Sequence, residues 1–176
     1  MAEVGIIVGS DSDLPKIKDC FDILDELRVG FEVIISSAHR CPVQTMEWSS
    51  TASKRGLKVI IAAAGGAAHL PGVVASHTTL PVIGIPIETA IAGGLDSMLS
   101  IIQMPAGIPV AAMAAGKAGG ANAALFAVSI LALSDGGCAE RLLSYRKSMA
   151  DKISGRNEQL KKMGLKEYIK NKEAGR

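Results

Sequence analysis

Short apolar runs alternate along this chain with segments whose apolar positions recur every three or four residues. Each run predicts a strand and each helical spacing a helix. Residues 3–8 form the first run, ending at Gly9. Ser12 or Asp13 can cap the next helix, and Pro15 is tolerated in its first turn. Ile17, Phe21, Leu24 and Leu27 then keep helical spacing, and Gly30 is a natural stop. Residues 31–36 are rich in β-branched and aromatic side chains and read as a buried strand. Pro42 suits the first turn of a helix over 42–55, ended by Gly56. A third strand follows over 57–63, then a glycine-rich loop leading into a short helix. Residues 81–85 and 108–113 read as strands four and five, with a helix over 96–103 between them. An apolar helix spans 119–133, and Gly136-Gly137 precedes a last polar helix.

Strands alternating with helices predict an α/β fold, a parallel sheet of about five strands with helices on both faces. Right-handed crossovers follow. No repeat or long linker divides the chain, so residues 1–135 form the α/β domain and 136–176 a polar, basic helical extension of it. The helix from Gly119 is apolar nearly all round, which predicts burial against another subunit. Residues 59–87 and 97–116 carry no Lys, Arg, Asp or Glu. Their length alone resembles membrane spans, but Pro71, Pro81, Pro86, Pro105 and Pro109 break them into buried strands and packed helices.

Composition sharpens this picture. The chain is 48% hydrophobic but 3% aromatic, so its core is built from Ala, Val, Ile, Leu and Gly. The net charge of +2 hides an asymmetry: residues 1–135 hold 8 basic and 12 acidic groups, residues 136–176 hold 11 and 5. A basic end can meet nucleic acid or an anionic membrane. This one lacks the interleaved aromatics of single-strand binders and reads as a solvated helix, with neither partner expected. Cys20, Cys41 and Cys138 form no C-x-x-C pair and suggest no disulfide framework. Met1-Ala2-Glu3-Val4 lacks the basic start of a signal segment. Together these predict a cytoplasmic protein.

Candidate chemistry gathers where strands end. Ser37-Ala38-His39-Arg40 follows the second strand, so a proton-transfer group and an anion-binding fork emerge together. In open parallel sheets that edge holds ligands. A lone histidine is often structural; the neighbouring Arg40 and the glycine loop due at the same edge favour chemistry here. Gly9-Ser10-Asp11-Ser12-Asp13 is either a plain capping turn or a phosphate site in which an aspartate receives ribose hydroxyls. Gly65-Gly66-Ala67-Ala68 is either close packing or a place where backbone approaches a flat ligand. His69 either binds ligand or fixes that loop, and His77 reads as exposed. The G-x-G-x-x-G fingerprint is absent after strand one, residue 111 is Ala where a P-loop needs Gly, and no acceptor aspartate ends strand three. No His, Cys or carboxylate set has zinc spacing. Cys41 has no assigned base and reads as a small neutral neighbour of the site.

The motifs also carry a resemblance. Gly9 to Asp13, Ser37 to Arg40, Ala64 to Gly72, Asp96-Ser97, Ser100 to Pro105, Gly107 to Val110 and Gly116 to Gly119, leading to Ala121 through Leu125, occur in the order found in the N5-carboxyaminoimidazole ribonucleotide mutases of purine biosynthesis. The chain resembles that family from about Val4 to Leu133. Cys41 stands where the family usually has threonine, Gly120 where alanine is common, and the basic tail matches nothing of use. The CO2-dependent carboxylase branch typically carries Gly-Arg-Ser-Asn and a lysine after the histidine, so Gly66-Ala67-Ala68-His69 and Arg40 resemble the mutase branch.

The resemblance implies a three-layer α/β/α sandwich of flavodoxin type, assembled as a homo-octamer whose neighbouring chains complete the site. It implies an isomerase that moves CO2 from the exocyclic nitrogen of a ribonucleotide to ring carbon C4, without metal, nucleotide or redox cofactor. His39 would protonate the departing nitrogen and later remove the C4 proton. Ser10, Ser12, Ser37 and Arg40 would hold the phosphate, and Asp13 the ribose. The loop of Gly65, Gly66, Ala67, Ala68, His69 and Leu70 would cradle the carboxylate and exclude water. Direct carboxylation of the aminoimidazole is the near rival. A non-catalytic ribonucleotide-binding module is the distant one.

Overall fold

The structure is a computed structural model and describes Met1–Gly175. Five parallel strands form one sheet in the order β2-β1-β3-β4-β5: β1 Val4–Val8, β2 Phe31–Ile35, β3 Val59–Ala64, β4 Val82–Pro86 and β5 Ala111–Ala112. The helices are α1 Lys18–Glu26, α2 Pro42–Thr51, α3 Leu70–Ser76, α4 Leu95–Ile102, α5 Lys117–Leu131, α6 Gly136–Met163 and α7 Leu165–Glu173.

The central strands are apolar on both faces because each face has its own helical layer. On one face Val4, Ile6, Val8, Ile61, Ala63, Ile83 and Ile85 pack with Leu24 of α1 and Ala124, Ala127 and Val128 of α5. On the other, Ile7, Ile60, Ala62 and Ala64 pack with Ala52, Leu70, Val74 of α3 and Ile101 of α4. This is the flavodoxin-like three-layer sandwich. At Gly120 a Cβ would lie 3.3 Å from the Cys20 amide nitrogen, so the glycine lets α5 rest directly on the α1 backbone.

Several expectations change. Strand two is not buried: the strand order makes it an edge, with Val33 43% and Ile35 48% exposed. An apolar run cannot tell an edge from a centre, since both are β-branched. The strand-five segment narrows to two paired residues. Ahead of α1 the chain makes two short 3-10 turns, Asp11–Asp13 and Pro15–Ile17; Ser10 caps the first of them, and α1 itself starts after Ile17 with no side-chain cap from Ser12 or Asp13. Helix α1 stops at Glu26, with Arg28 in the left-handed region at φ 55°. Gly30 is needed for packing instead: a Cβ there would meet the Met1 carbonyl oxygen at 2.5 Å. The apolar α5 is covered largely by its own chain, lying against α1 and α6, with Phe126 left exposed. Asp135 caps α6 by accepting from the Gly137 and Cys138 amides, so the paired glycines begin that helix. The polar tail is two helices, parted at Gly164 with φ 82°. Among the described residues no helix is long and apolar enough to cross a membrane.

Candidate active site

The sheet order explains why three distant motifs meet. Val8 is level with Ile35 on one side and Ala63 on the other. The segments after β1, β2 and β3 therefore leave the sheet side by side, with β1 in the middle. The Ser36 amide extends the pairing by donating to the Val8 carbonyl at 2.9 Å. A cleft of about 280 Å³ opens there, lined by Gly9, Ser10 and Asp13 from the first segment, Ser37, Ala38 and His39 from the second, and Ala64, Gly65, Ala67, Ala68, His69 and Leu70 from the third.

Each segment is held locally. Ser37 shapes the turn bearing His39: its carbonyl accepts from the Cys41 amide at 2.8 Å, and its hydroxyl accepts from the Arg40 amide at 3.3 Å. Beneath, the buried hydroxyls of Ser36 and Thr45 meet at 2.8 Å and fasten α2 to the end of β2. In the first segment the Ser12 hydroxyl donates to Ser10 Oγ at 2.9 Å, and Asp11 accepts from the Ser12 amide at 2.9 Å.

The two predicted histidines come together. His39 Nε2 and His69 Nδ1 are 2.8 Å apart, and the rings meet edge to face at 85°. That contact needs one shared proton, so the tautomer of one ring fixes that of the other. A proton taken up at one imidazole thus has a ready path to the second.

Three predicted site residues stand outside the cleft lining. Ser12 is turned into the serine pair just described. Arg40 Nη2 donates to the Gly9 carbonyl at 3.1 Å, bridging the first two segments at the mouth. The Gly66 amide donates to Ser97 Oγ at 2.9 Å, and the Ala68 amide to the Gly65 carbonyl at 3.2 Å. Among the described residues this leaves the Gly65, Ala67 and His69 amides as loop donors without an intramolecular partner. Ser97, which holds this loop from behind, is a residue that reading the sequence by charge and acid–base character passes over; its only signal was its place in the Asp96-Ser97 motif. Its neighbour Asp96 accepts from the Thr89 hydroxyl at 2.6 Å, which holds that carboxyl below its ordinary range.

Other hollows are as large without equivalent chemistry. One of about 780 Å³ lies at the opposite end of β4 and β5, around Thr78, Pro81 and Pro109. Another, of about 320 Å³, lies between Lys16, Lys18, Glu88 and Lys117. Lys16 and Lys18 there already have carboxylate partners, in Asp13 and Asp22. Among the described residues no three His, Cys, Asp or Glu side chains converge to hold a metal ion.

A family model described as AIR carboxylase matches residues 3–152, from the start of the sheet well into α6. The chain belongs to the AIR carboxylase family. It is 47% identical to an N5-carboxyaminoimidazole ribonucleotide mutase of Thermotoga maritima, over 98% of this chain and all of that protein. It is 51% identical to the protein of that name from Pyrococcus horikoshii, over 94% of this chain and 93% of the other. A Schizosaccharomyces pombe phosphoribosylaminoimidazole carboxylase is 47% identical over 94% of this chain, which spans 30% of that longer protein. The crystal structure of Treponema denticola PurE superposes with a TM-score of 0.81 at 28% identity, covering 90% of this chain and 98% of that one. Family membership thus extends over all three cleft segments and the α4 segment beneath them.

Proposed function

We propose that this chain is an N5-carboxyaminoimidazole ribonucleotide mutase, an isomerase of purine biosynthesis. The observation that carries the reading is the 2.8 Å contact of His39 with His69 over a cleft walled by serines, an aspartate and a bare glycine–alanine loop. The relatives that match nearly end to end bear that name.

The substrate's phosphate is held around Ser10, Ser12 and Ser37, with Arg40 swinging from the Gly9 carbonyl to join it. Asp13 receives the ribose hydroxyls. Breaking the carbamate N–C bond releases CO2 and leaves electron density on the exocyclic nitrogen, which His39 protonates. Carbon C4 attacks the retained CO2, and His39 then removes the C4 proton, so proton and carboxylate both balance. His69 sets the tautomer of His39 and shares its proton. General acid–base catalysis of this kind supplies roughly 10²–10⁴-fold, and confinement of CO2 beside C4 adds the proximity term. The Ala67 and His69 amides, free of intramolecular partners among the described residues, receive the carboxylate. The reading calls for no cofactor.

The same proposal includes a cytoplasmic homo-octamer with no nucleic-acid or membrane partner. Association of copies, the part of this that the surface bears on, is supported by apolar side chains left in the open: Leu95 and Leu99 one turn apart on α4, and Val33 and Ile35 on the β2 edge. Surfaces of this kind mark association.

The test is conversion of N5-carboxyaminoimidazole ribonucleotide to the C4-carboxylated product without ATP, beside aminoimidazole ribonucleotide with bicarbonate. Turnover of the carbamate at low bicarbonate is expected. Preference for the decarboxylated substrate with CO2 would move the chain to direct carboxylation. Binding without turnover in either assay would make it a ribonucleotide-binding module.

A further inference from the structure

The loop joining β3 to α3 follows a constrained path. Gly66 lies at φ 68° and Ala68, which has a side chain, at φ 41°. A left-handed alanine persists only where its surroundings over-determine it. Those surroundings centre on Ser97, fully buried in the first turn of α4. Its Oγ accepts from the Gly66 amide at 2.9 Å and donates to the Ile87 carbonyl at 2.8 Å. A hydroxyl has one proton, so the direction of both bonds is fixed. The Ile87 amide in turn donates to the Ala64 carbonyl at 2.9 Å. The ends of β3 and β4 and the start of α4 are thereby joined through one oxygen. Three residues beyond Gly66, the chain presents His69 Nδ1 to His39.

We infer that Ser97 is a positioning residue for the reaction: its hydroxyl clamps Gly66, and so sets the Ala67 and His69 amides and the His69 imidazole against His39. The inference rests on the mutase reading for the reaction it serves. Ser97 lies behind the loop and does not line the cleft, so it acts only through Gly66. Ser100 reaches the same glycine from the exposed side, but at its carbonyl and at 3.4 Å, and its hydroxyl is already bonded to the Asp96 carbonyl at 2.8 Å. It cannot replace the bond to the amide. Without the Ser97 hydroxyl, the Gly66 amide and the Ile87 carbonyl both lose their partner, and the left-handed turn loses its anchor.

The wild-type chain, Ser97→Ala and Ser97→Thr are compared on N5-carboxyaminoimidazole ribonucleotide. In Ser97→Ala, kcat is expected to fall by about 10²-fold, the cost of a small misplacement of reacting groups, while KM stays near the wild-type value. Its pH profile of kcat/KM is expected to move and its Gly66 amide to exchange faster. Ser97→Thr keeps the hydroxyl and is expected to recover most of kcat. A folded Ser97→Ala with wild-type kcat and a protected Gly66 amide overturns the inference. Equal losses in the alanine and threonine variants with an unmoved pH profile also overturn it, because that is a packing defect. If Ser97→Ala fails to fold, Ser97→Cys takes its place under the same criteria, its thiol being a weak hydrogen-bonding group. A wild type silent in the assay refutes the mutase reading instead. Gly66 exchange and the imidazole nitrogen shifts of His39 and His69 then decide the positioning role without turnover.

Discussion

Three neighbouring side chains after β2 have separable roles. His39→Asn keeps a polar group of similar size but cannot exchange protons, so it should bind the ribonucleotide and lose turnover by about 10²–10⁴-fold. Near-normal kcat would remove His39 from the mechanism. Arg40 already spends one guanidinium bond on the Gly9 carbonyl. Arg40→Ala should therefore raise KM far more than it lowers kcat, and an unchanged KM would count against its phosphate role. Cys41 is the residue preceding α2, and its side chain makes no capping bond. Threonine is a favoured residue at that position, so Cys41→Thr should raise stability by about 0.5–1 kcal/mol, read as a higher denaturant midpoint. Cys20 behaves differently from Cys41: burial pushes its thiol up to about 12, leaving it unreactive near neutral pH.

The ends of α1 and α6 carry the predictions that belong to elements. Helix α1 closes with the Val29 amide on the Leu24 carbonyl at 2.9 Å and Arg28 in the left-handed region. Glycine is the usual residue there. Arg28→Gly should stabilise the fold by about 1 kcal/mol through relief of that conformation, and a lower thermal midpoint would contradict it. Helix α6 begins on the Asp135 carboxylate, which the Cys138 amide, with Gly137, holds below its ordinary value of 3.8. A depressed folded value means that this stabilisation is complete above 3.8 and is lost as pH falls through the folded value. The stability gap between wild type and Asp135→Ala should thus be wide at neutral pH and narrow in acid. A gap independent of pH would show that the charge contributes nothing. Of these two ends, the helix near Gly136-Gly137 was legible but its Asp135 cap was not, since the paired glycines read as a break before the helix rather than as its first residues. The α1 end was not legible either, because Gly30 offered a more ordinary stop and its real constraint, the Met1 carbonyl, lies far away in sequence.

At the scale of the molecule, exposed apolar positions decide whether the chain stands alone. Val33 and Ile35 on the edge strand and Leu95 and Leu99 on α4 are each between 43% and 48% exposed. Size exclusion at micromolar protein should show an oligomer, and a monomer peak would contradict that part of the proposed function. The sequence by itself determined the alternation of strands and helices, hence the parallel sheet. It also determined that His39, His69 and the serines leave strand ends, because side-chain period and turn chemistry are local properties. Only the tertiary structure decided that β2 is an edge, that α6 covers much of α5, and that Arg40 and Gly66 are already engaged. It alone brought His39 to His69 and placed Ser97 under the loop, across 30 and 31 residues of chain. Such contacts depend on strand order and on hydroxyl groups whose partners are backbone atoms, and neither leaves a periodic trace in the residues themselves.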